Sequence, residues 1–286
     1  MTNAEDDFRR VAILGVGLLG GSVALALKQR LNDVEIVGLS RSEAKRQLAI
    51  QCGAVDVAVD NIAAACEGAD VVVVAAPVDR IASMANEAYA SAPDGCLITD
   101  VGSTKATITD RVPHKNFVAA HPIAGSEKTG VTNAWADLFV DKTIVITPTT
   151  STDPAMLEAC DRFWQLTGGR TVRMSPEDHD AHLAAVSHVP HLMSALVARQ
   201  LPPSAKELVG TGWQDITRVA AGDPDMWTAI CGENQNAIIS ELDRLMADLK
   251  EFRQRIAAND QQAIEQWLTE AKQIKESAPQ PIDVSN

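Results

Sequence analysis

Short apolar runs in the first half of the chain alternate with stretches of helical periodicity. A continuous apolar run predicts a strand that is buried on both faces of a sheet. Such runs occupy residues 11–14, 35–39, 55–59, 71–74, 97–99, 117–120, 144–146 and 171–174. Because strands that alternate with helices form right-handed βαβ units, this pattern predicts an α/β region with a mostly parallel sheet.

The pattern becomes helical after residue 174. Ser175 followed by Pro176 is typical of a helix start, with an N-cap serine and a proline in the first turn. Helical periodicity then continues to residue 275, with breaks at Pro202-Pro203 and Gly222-Asp223-Pro224. We therefore predict two domains, residues 1–174 with the mostly parallel sheet and residues 175–286 all-helical, with residues 277–286 as a disordered polar tail.

Composition and charge exclude several classes of protein. Of the 286 residues, 46% are hydrophobic, which is enough for a sizeable core, and the formal net charge is −13 at pH 7. So acidic a chain lacks the basic surface that nucleic acids and anionic membranes attract, and we expect neither as a partner. No apolar run reaches the ~20 residues that span a bilayer, and the N-terminus lacks the pattern of a signal peptide.

The cysteines indicate a reducing compartment. The five are scattered without the spacing of a disulfide framework or a zinc site. We therefore expect a cytoplasmic protein without a metal.

A glycine-rich loop follows the first predicted strand. Gly15-Val16-Gly17-Leu18-Leu19-Gly20 leads from residues 11–14 into a helical pattern, which is the context that a dinucleotide-binding loop requires. The first glycine allows a tight turn, the second lets the backbone approach a pyrophosphate, and the third lets the helix pack against the strand. We expect Gly15, Gly17, Leu18, Leu19 and Gly20 to bind a nicotinamide dinucleotide in a Rossmann-type domain; the alternative is a purely structural turn.

The end of the second predicted strand bears on which dinucleotide binds. NAD enzymes usually carry an acidic residue there for the ribose 2′-hydroxyl, whereas this chain has Ser40 and Arg41. Ser40 can hydrogen-bond a 2′-phosphate and Arg41 can pair with its charge, so NADP is favoured and NAD stays open. We expect Ala75-Ala76-Pro77, at the end of another strand, to approach the nicotinamide ribose.

Two polar segments follow later strands. Asp100-Val101-Gly102-Ser103-Thr104-Lys105 comes after residues 97–99, and a loop that begins with His121-Pro122 comes after residues 117–120. Ligands bind at the carboxyl ends of strands in open α/β sheets. His121 is therefore well placed for acid–base chemistry, although a histidine that only hydrogen-bonds its own loop would look the same.

These segments resemble the successive motifs of the prephenate dehydrogenase family, which includes the arogenate and cyclohexadienyl dehydrogenases of tyrosine biosynthesis. The second and third motifs are Asp100–Lys105 and the run from His121 to Gly130 that includes Glu127. The resemblance continues in Ser187-His188-Val189-Pro190-His191, in the Asp-x-Thr-Arg segment that ends at Arg218, and in Asp223-Pro224 with Met226-Trp227.

The resemblance implies an oxidative decarboxylation of prephenate to 4-hydroxyphenylpyruvate, with hydride transfer to NAD(P). It implies that His121 accepts the proton of the C4 hydroxyl, that Ser103 orients that hydroxyl, and that Arg218 binds a carboxylate bidentately. The other substrate-binding residues that it implies are His191, Glu127, Asp215, Ser187 and Trp227. It assigns no role to His179, and it implies a homodimer formed through the helical domain.

Purely structural roles for these residues stay open beside the catalytic ones. Arg218 and Asp215 could form a surface ion pair on one helix face, and they could do so while Asp215 holds Arg218 for the substrate. His191 and Trp227 could belong to an apolar core.

Three other functions stay open. An arogenate dehydrogenase would need a polar partner for the substrate's ammonium group. A dehydrogenase for a β-hydroxy acid or an imine would not need the His121 loop together with Arg218. A non-enzymatic NADP sensor would bind the cofactor without turnover.

Overall fold

The strands of the protein form two sheets in a computed structural model that describes residues 8–125 and 128–278. They are β1 (Arg10–Leu14), β2 (Glu35–Leu39), β3 (Val57–Val59), β4 (Val71–Val74), β5 (Leu97–Asp100), β6 (Ala119–Pro122), β7 (Thr143–Thr147) and β8 (Arg170–Arg173). The first sheet is parallel in the order β3-β2-β1-β4-β5, and the second has the order β6-β7-β8.

A parallel bridge between Ile98 and Phe117 places β6 beside β5, so the second sheet extends the first. β6 pairs antiparallel with β7, and β7 pairs parallel with β8. The resulting order 3-2-1-4-5-6 is that of a Rossmann domain, which confirms the predicted fold class. The strand predicted at residues 117–120 is β6, which begins two residues later, at Ala119. Phe117 forms only the isolated bridge to Ile98.

Helices connect most of the strands and make up most of the described chain after β8. They are α1 (Leu18–Arg30), α2 (Glu43–Gln51), α3 (Ile62–Cys66), α4 (Val78–Ser91), α5 (Ala106–Arg111), α6 (Pro154–Leu166), α7 (Pro176–Leu183), α8 (Val189–Arg199), α9 (Thr211–Thr217), α10 (Pro224–Glu233), α11 (Gln235–Ala257) and α12 (Gln261–Ser277). A π-helical turn, Ala184–His188, joins α7 to α8, and a 3-10 turn, Arg218–Ala221, follows α9.

The central strands are apolar throughout because both of their faces are covered. Every residue of β4 is buried, and one hydrophobic cluster lies on each side of the sheet. On one side Trp164 of α6 packs fully buried, and its indole N–H donates to the Thr99 hydroxyl at 3.2 Å. Burying such a side chain contributes about 2–3 kcal/mol, so this face anchors the strand that ends at the candidate site.

The chain divides into two compact units, Met1–Ile238 and Ile239–Asn286. The second unit contains most of α11 and all of α12, where Phe252 stacks on Trp267 with ring centroids 4.3 Å apart. Asn259 turns the chain between the two helices with a positive φ of 53°. α12 continues through Ser277, so the predicted tail begins too early at residue 277; residues 279–286 lie outside the described part.

One helical stretch, Pro176–Arg199, is long and apolar enough by composition to cross a membrane. Core helices of soluble proteins reach the same length and apolar composition, so this is weak evidence for a membrane span. The stretch also contains His179, Asp180 and His188, which are buried and hydrogen-bonded within the protein.

Candidate active site

A cleft of about 920 Å³ opens at the carboxyl ends of β1, β2 and β4. This is the sheet edge where dinucleotides bind in Rossmann domains. The predicted cofactor residues that line the cleft are Gly15, Gly17, Ser40, Arg41, Ala75, Ala76 and Pro77. The others, Leu18, Leu19 and Gly20, begin α1 and are not among the lining residues.

The three glycines of the loop differ in the space around them. Gly15 has φ +112°, and a Cβ there would lie 2.3 Å from the Ala75 carbonyl oxygen. At Gly20 a Cβ would lie 2.2 Å from the Gly15 carbonyl oxygen, whereas at Gly17 it would meet no described atom within 4 Å. The first and third glycines therefore permit the turn and the close packing of α1, and the second leaves room for a pyrophosphate. The loop fits a dinucleotide.

Cationic side chains line the cleft, two of them from the loop and the helix that follow β2. Arg41, Lys45 and Arg80 line it, and within the described chain none of them forms an ion pair or hydrogen bond through its side chain. The Arg46 guanidinium donates to the carbonyl oxygens of Ser40 at 2.8 Å and Arg41 at 3.1 Å, which holds this loop in place. Sequence reasoning missed Lys45 and Arg80, although Lys45 lies in the first turn of the helix that Ser42 caps.

His121 lies on β6, at the same sheet edge as the glycine loop because β6 extends the parallel order of the first sheet. Its ring is deep in the protein, yet part of the residue's surface stays accessible. The Nδ1 atom lies 2.8 Å from Nε2 of His179, and Nε2 of His121 bonds to no described residue. Burial, followed by the charges of His179, Lys105 and His188, lowers the pKa of His121 well below its ordinary value of 6.5. The imidazole is therefore neutral at pH 7 and can accept a proton.

His179 links His121 to a buried carboxylate, that of Asp180. Its Nδ1 lies 2.8 Å from Oδ1 of Asp180. Asp180 also accepts the backbone N–H of Lys105 at 2.8 Å and of Ala106 at 2.9 Å. Sequence reasoning assigned His179 no role, and a histidine followed by an aspartate on a helix carries no signal that would have revealed this contact.

A second buried carboxylate, Asp100, holds the end of β5 and the start of β6. It accepts the backbone N–H of Ala120 at 3.0 Å and of Gly102 at 2.8 Å, and it pairs with the ammonium of Lys105. Both side chains of this pair are fully buried. The pair thus fixes the loop that carries Ser103 relative to the strand that carries His121.

The predicted carboxylate-binding region lies on α8 and the turn after α9. The His191 ring stacks on Trp227 with centroids 3.5 Å apart and planes 10° from parallel. A Cβ on Gly222 would lie 2.6 Å from Nε1 of Trp227 and 2.9 Å from Cε1 of His191, so the chain just after Arg218 touches this stack. The 3-10 turn that carries Arg218 packs against α8.

For the remaining predicted residues the structure gives a position in the fold and a degree of exposure. Ser103 and Ser187 are half-buried, in the loop after β5 and in the π-helical turn. Arg218 and Asp215 are exposed, and within the described residues no ion pair joins them. Glu127 lies outside the described residues.

Family models match both halves of the chain. The model for the prephenate dehydrogenase nucleotide-binding domain matches residues 23–173, and the model for the prephenate dehydrogenase dimerization domain matches residues 175–270. Together they confirm the family that the motifs indicated.

Relatives of known function and solved structures agree with these matches. A prephenate dehydrogenase of Bacillus subtilis is 32% identical over 94% of this chain and 76% of its own length. A cyclohexadienyl dehydrogenase of Zymomonas mobilis is 34% identical over 88% of this chain and 90% of its own. The crystal structure of prephenate dehydrogenase from A. aeolicus with hydroxyphenyl propionate and NAD+ has a TM-score of 0.88 at 29% identity, and the match covers 94% of this chain and 97% of that one. The chain belongs to the prephenate dehydrogenase family.

Proposed function

We propose that the protein is a prephenate dehydrogenase of tyrosine biosynthesis, which converts prephenate to 4-hydroxyphenylpyruvate with loss of carbon dioxide. The observation that carries this function is the neutral His121, whose Nε2 has no hydrogen-bond partner among the described residues and lies at the sheet edge that holds the glycine loop. The reaction needs a proton acceptor on the C4 hydroxyl, a cation for a carboxylate and a firmly held substrate. The motif residues supply each of these.

Each residue has one task in this reaction. A nicotinamide dinucleotide held by the Gly15, Gly17 and Gly20 loop would supply the hydride acceptor for C4. His121 accepts the proton of the C4 hydroxyl as the ring becomes aromatic and the C1 carboxylate leaves, and Ser103 orients that hydroxyl. Arg218 binds the remaining carboxylate, which suits a guanidinium with no ion-pair partner among the described residues. The other substrate contacts that we propose are those of His191, Trp227, Ser187, Asp215 and Glu127.

We further propose that NADP is the preferred cofactor. The end of β2 carries Ser40 and Arg41 in place of an acidic residue, and Lys45 adds a second cation on the same part of the cleft. Two cations and a hydroxyl suit a 2′-phosphate better than a bare 2′-hydroxyl. The Gly15, Gly17 and Gly20 loop, with Leu18 and Leu19 at the start of α1, would hold the pyrophosphate.

We also propose the larger organisation. The domains divide near residue 174, which the two family models that match residues 23–173 and 175–270 support, although the compact units of the chain divide at residue 238. The helical domain pairs with a second copy of the chain. Exposed apolar side chains on α11 and α12, which a second copy would cover, support the pairing: Met246, Leu249, Ile256, Leu268 and Ile274. Burial raises the pKa of the Cys66 thiol to about 11, and all five cysteines are free, which suits the cytoplasm.

The test is a spectrophotometric assay at 340 nm that crosses prephenate and arogenate with NADP and NAD. Turnover of prephenate with a preference for NADP is the expected result. Turnover of arogenate alone would keep the mechanism and overturn the substrate. Absence of turnover in all four combinations, with NADP still bound, would overturn the function itself.

One single variant and one double variant assign the roles. His121→Asn should lower kcat by about 10²–10⁴-fold with cofactor binding unchanged, since general base catalysis has that magnitude. Arg41→Ala together with Lys45→Ala should raise the KM for NADP and leave that for NAD unchanged, whereas Arg46→Lys serves as a control for the loop that Arg46 holds.

A further inference from the structure

Three side chains form a hydrogen-bonded row that leads from His121 into the protein interior. His121 contacts His179, and His179 contacts Asp180, at 2.8 Å each. We propose that His179 and Asp180 are positioning residues that hold His121 in the tautomer whose Nε2 accepts a proton, and that they take up the positive charge which His121 gains. The charge-transfer part of this inference rests on the proposed function, whereas the tautomer part does not.

The proton positions follow from the partners along the row. Asp180 accepts two backbone N–H groups, which is the role of an ionised carboxylate, so the Nδ1 atom of His179 must carry a proton and donate it. The Nε2 atom of a neutral His179 is then an acceptor. The Nδ1–H of His121 donates to it, and Nε2 of His121 keeps its lone pair. A histidine in the opposite tautomer would point an N–H at the substrate and could not act as a base.

The surroundings keep His179 neutral before the reaction. Burial lowers the pKa of His179, while its hydrogen bond to Asp180 raises it and the charge of Lys105 lowers it further. Asp100 neutralises that ammonium through a direct ion pair. On the α8 side, Asn234 donates to Nδ1 of His188 at 3.1 Å, and burial lowers the pKa of His188 to about 4, so this neighbour is neutral as well.

The proton step balances along the row. The O–H bond of the C4 hydroxyl breaks as an N–H bond forms at Nε2 of His121. The Nδ1–H bond of His121 then breaks as an N–H bond forms at Nε2 of His179. The positive charge rests on His179 beside the Asp180 carboxylate while the hydride and the carboxylate leave, and no electrons are exchanged along the row. The two N–H bonds then break in reverse order, and the proton returns from Nε2 of His121 to the ring oxygen, which gives the hydroxyl of 4-hydroxyphenylpyruvate. Moving the charge one ring inward separates it from the reacting carbon and brings it to a counter-ion.

The tautomer is tested in the enzyme without substrate. The protein with ¹⁵N-labelled histidine has six imidazoles, and two-bond proton–nitrogen correlations show which nitrogen carries the proton in each. Variant His121→Gln identifies the His121 signals. We expect His121 as the Nδ1–H tautomer in the wild-type enzyme and a shift toward the Nε2–H form in His179→Leu. An Nε2–H form in the wild-type enzyme would overturn the proposal whether or not the variant folds.

The charge transfer is tested by kinetics with a milder variant. The amide oxygen of His179→Gln can accept the His121 Nδ1–H but cannot take up a proton. We therefore expect the tautomer to persist, kcat to fall at least about tenfold and KM to stay unchanged. A solvent-isotope proton inventory should change from two transferred protons to one. Wild-type kcat in His179→Gln would overturn the charge transfer.

Controls separate these results from other failures. The exposed His182 lies on the same helix, and His182→Gln and His182→Leu should match the wild-type enzyme in every measurement. If the enzyme turns over no cyclohexadienyl substrate, the proposed function fails, while the tautomer in the resting protein still decides the positioning role.

Discussion

Gly222 lies against the stacked His191 and Trp227 rings of the predicted carboxylate-binding region. Its backbone, at φ −60° and ψ 157°, is one that any L-residue adopts, so Gly222→Ala introduces no backbone strain. The added methyl would lie 2.6 Å from Nε1 of Trp227 and 2.9 Å from Cε1 of His191. These atoms belong to two stacked rings, which cannot move independently. The substitution is therefore a purely steric test of the stack.

The expected cost follows from overpacking. Forcing one extra methyl into a packed region typically costs about 1–3 kcal/mol, because the neighbours must leave their preferred rotamers. For a chain of this size that corresponds to a fall in melting temperature of about 2–10 °C. Displacement of His191 or of the turn that carries Arg218 should also raise the KM for prephenate, with a smaller change in kcat.

Gly212→Ala is the matched control. Gly212 lies in α9, where a Cβ would meet no described atom within 4 Å. Alanine in place of a helical glycine should stabilise the protein by about 0.4–1 kcal/mol. Differential scanning fluorimetry and steady-state kinetics on both variants make the comparison. If Gly222→Ala has the melting temperature and the KM of the wild-type enzyme, the stacked rings do not constrain the substrate region.

Three further predictions concern the buried charges and histidines. Because burial lowers the pKa of His121 well below 6.5, kcat/KM should stay level from pH 8 to pH 6.5 and fall only in more acid solution; a fall that begins above pH 7 would contradict a neutral base. The pKa of His188 is about 4 in the folded protein against 6.5 when unfolded, so the unfolded chain binds the proton first as the pH falls. Unfolding free energy should drop by about 2 kcal/mol from this group between pH 7 and pH 5, and urea titrations should show a smaller drop in His188→Gln. Lys105→Met leaves the buried Asp100 carboxylate without its cation and should cost about 3–5 kcal/mol in thermal or urea unfolding, whereas the double variant with Asp100→Asn should recover part of that loss.

The sheet and the glycine loop could be predicted because their determinants are local in sequence. A strand such as β4 is apolar at every position, since helices cover both of its faces. The loop is defined by three glycines at set spacing between a strand and a helix, and Gly15 and Gly20 do lie where a Cβ would collide with backbone. The motif describes the backbone path alone, so Leu18 and Leu19 stay proposed contacts through the start of α1, and their side chains are not among those that line the cleft.

The interior side of the site could not be predicted, since its contacts join residues far apart in sequence. His121 and His179 are 58 positions apart, and Lys105 and Asp180 are 75 apart. Each of these residues has an ordinary local context: a strand end, a capped helix or a polar loop. Only the fold shows that a histidine with no assigned role lies against the proposed base.

The two buried carboxylates explain how the site keeps its geometry. Asp180 accepts the backbone N–H of Lys105, and Asp100 accepts the side-chain ammonium of the same residue. One lysine thus links α7, which carries His179, to the loop that carries Ser103. Asp100 also accepts the N–H of Ala120, next to His121 on β6. The proposed base, its partner and the proposed orienting serine therefore share one set of buried anchors. Because these anchors are charge-assisted hydrogen bonds in a dry interior, a small shift at any of them costs several bonds at once, and the acceptor nitrogen of His121 stays fixed for the substrate.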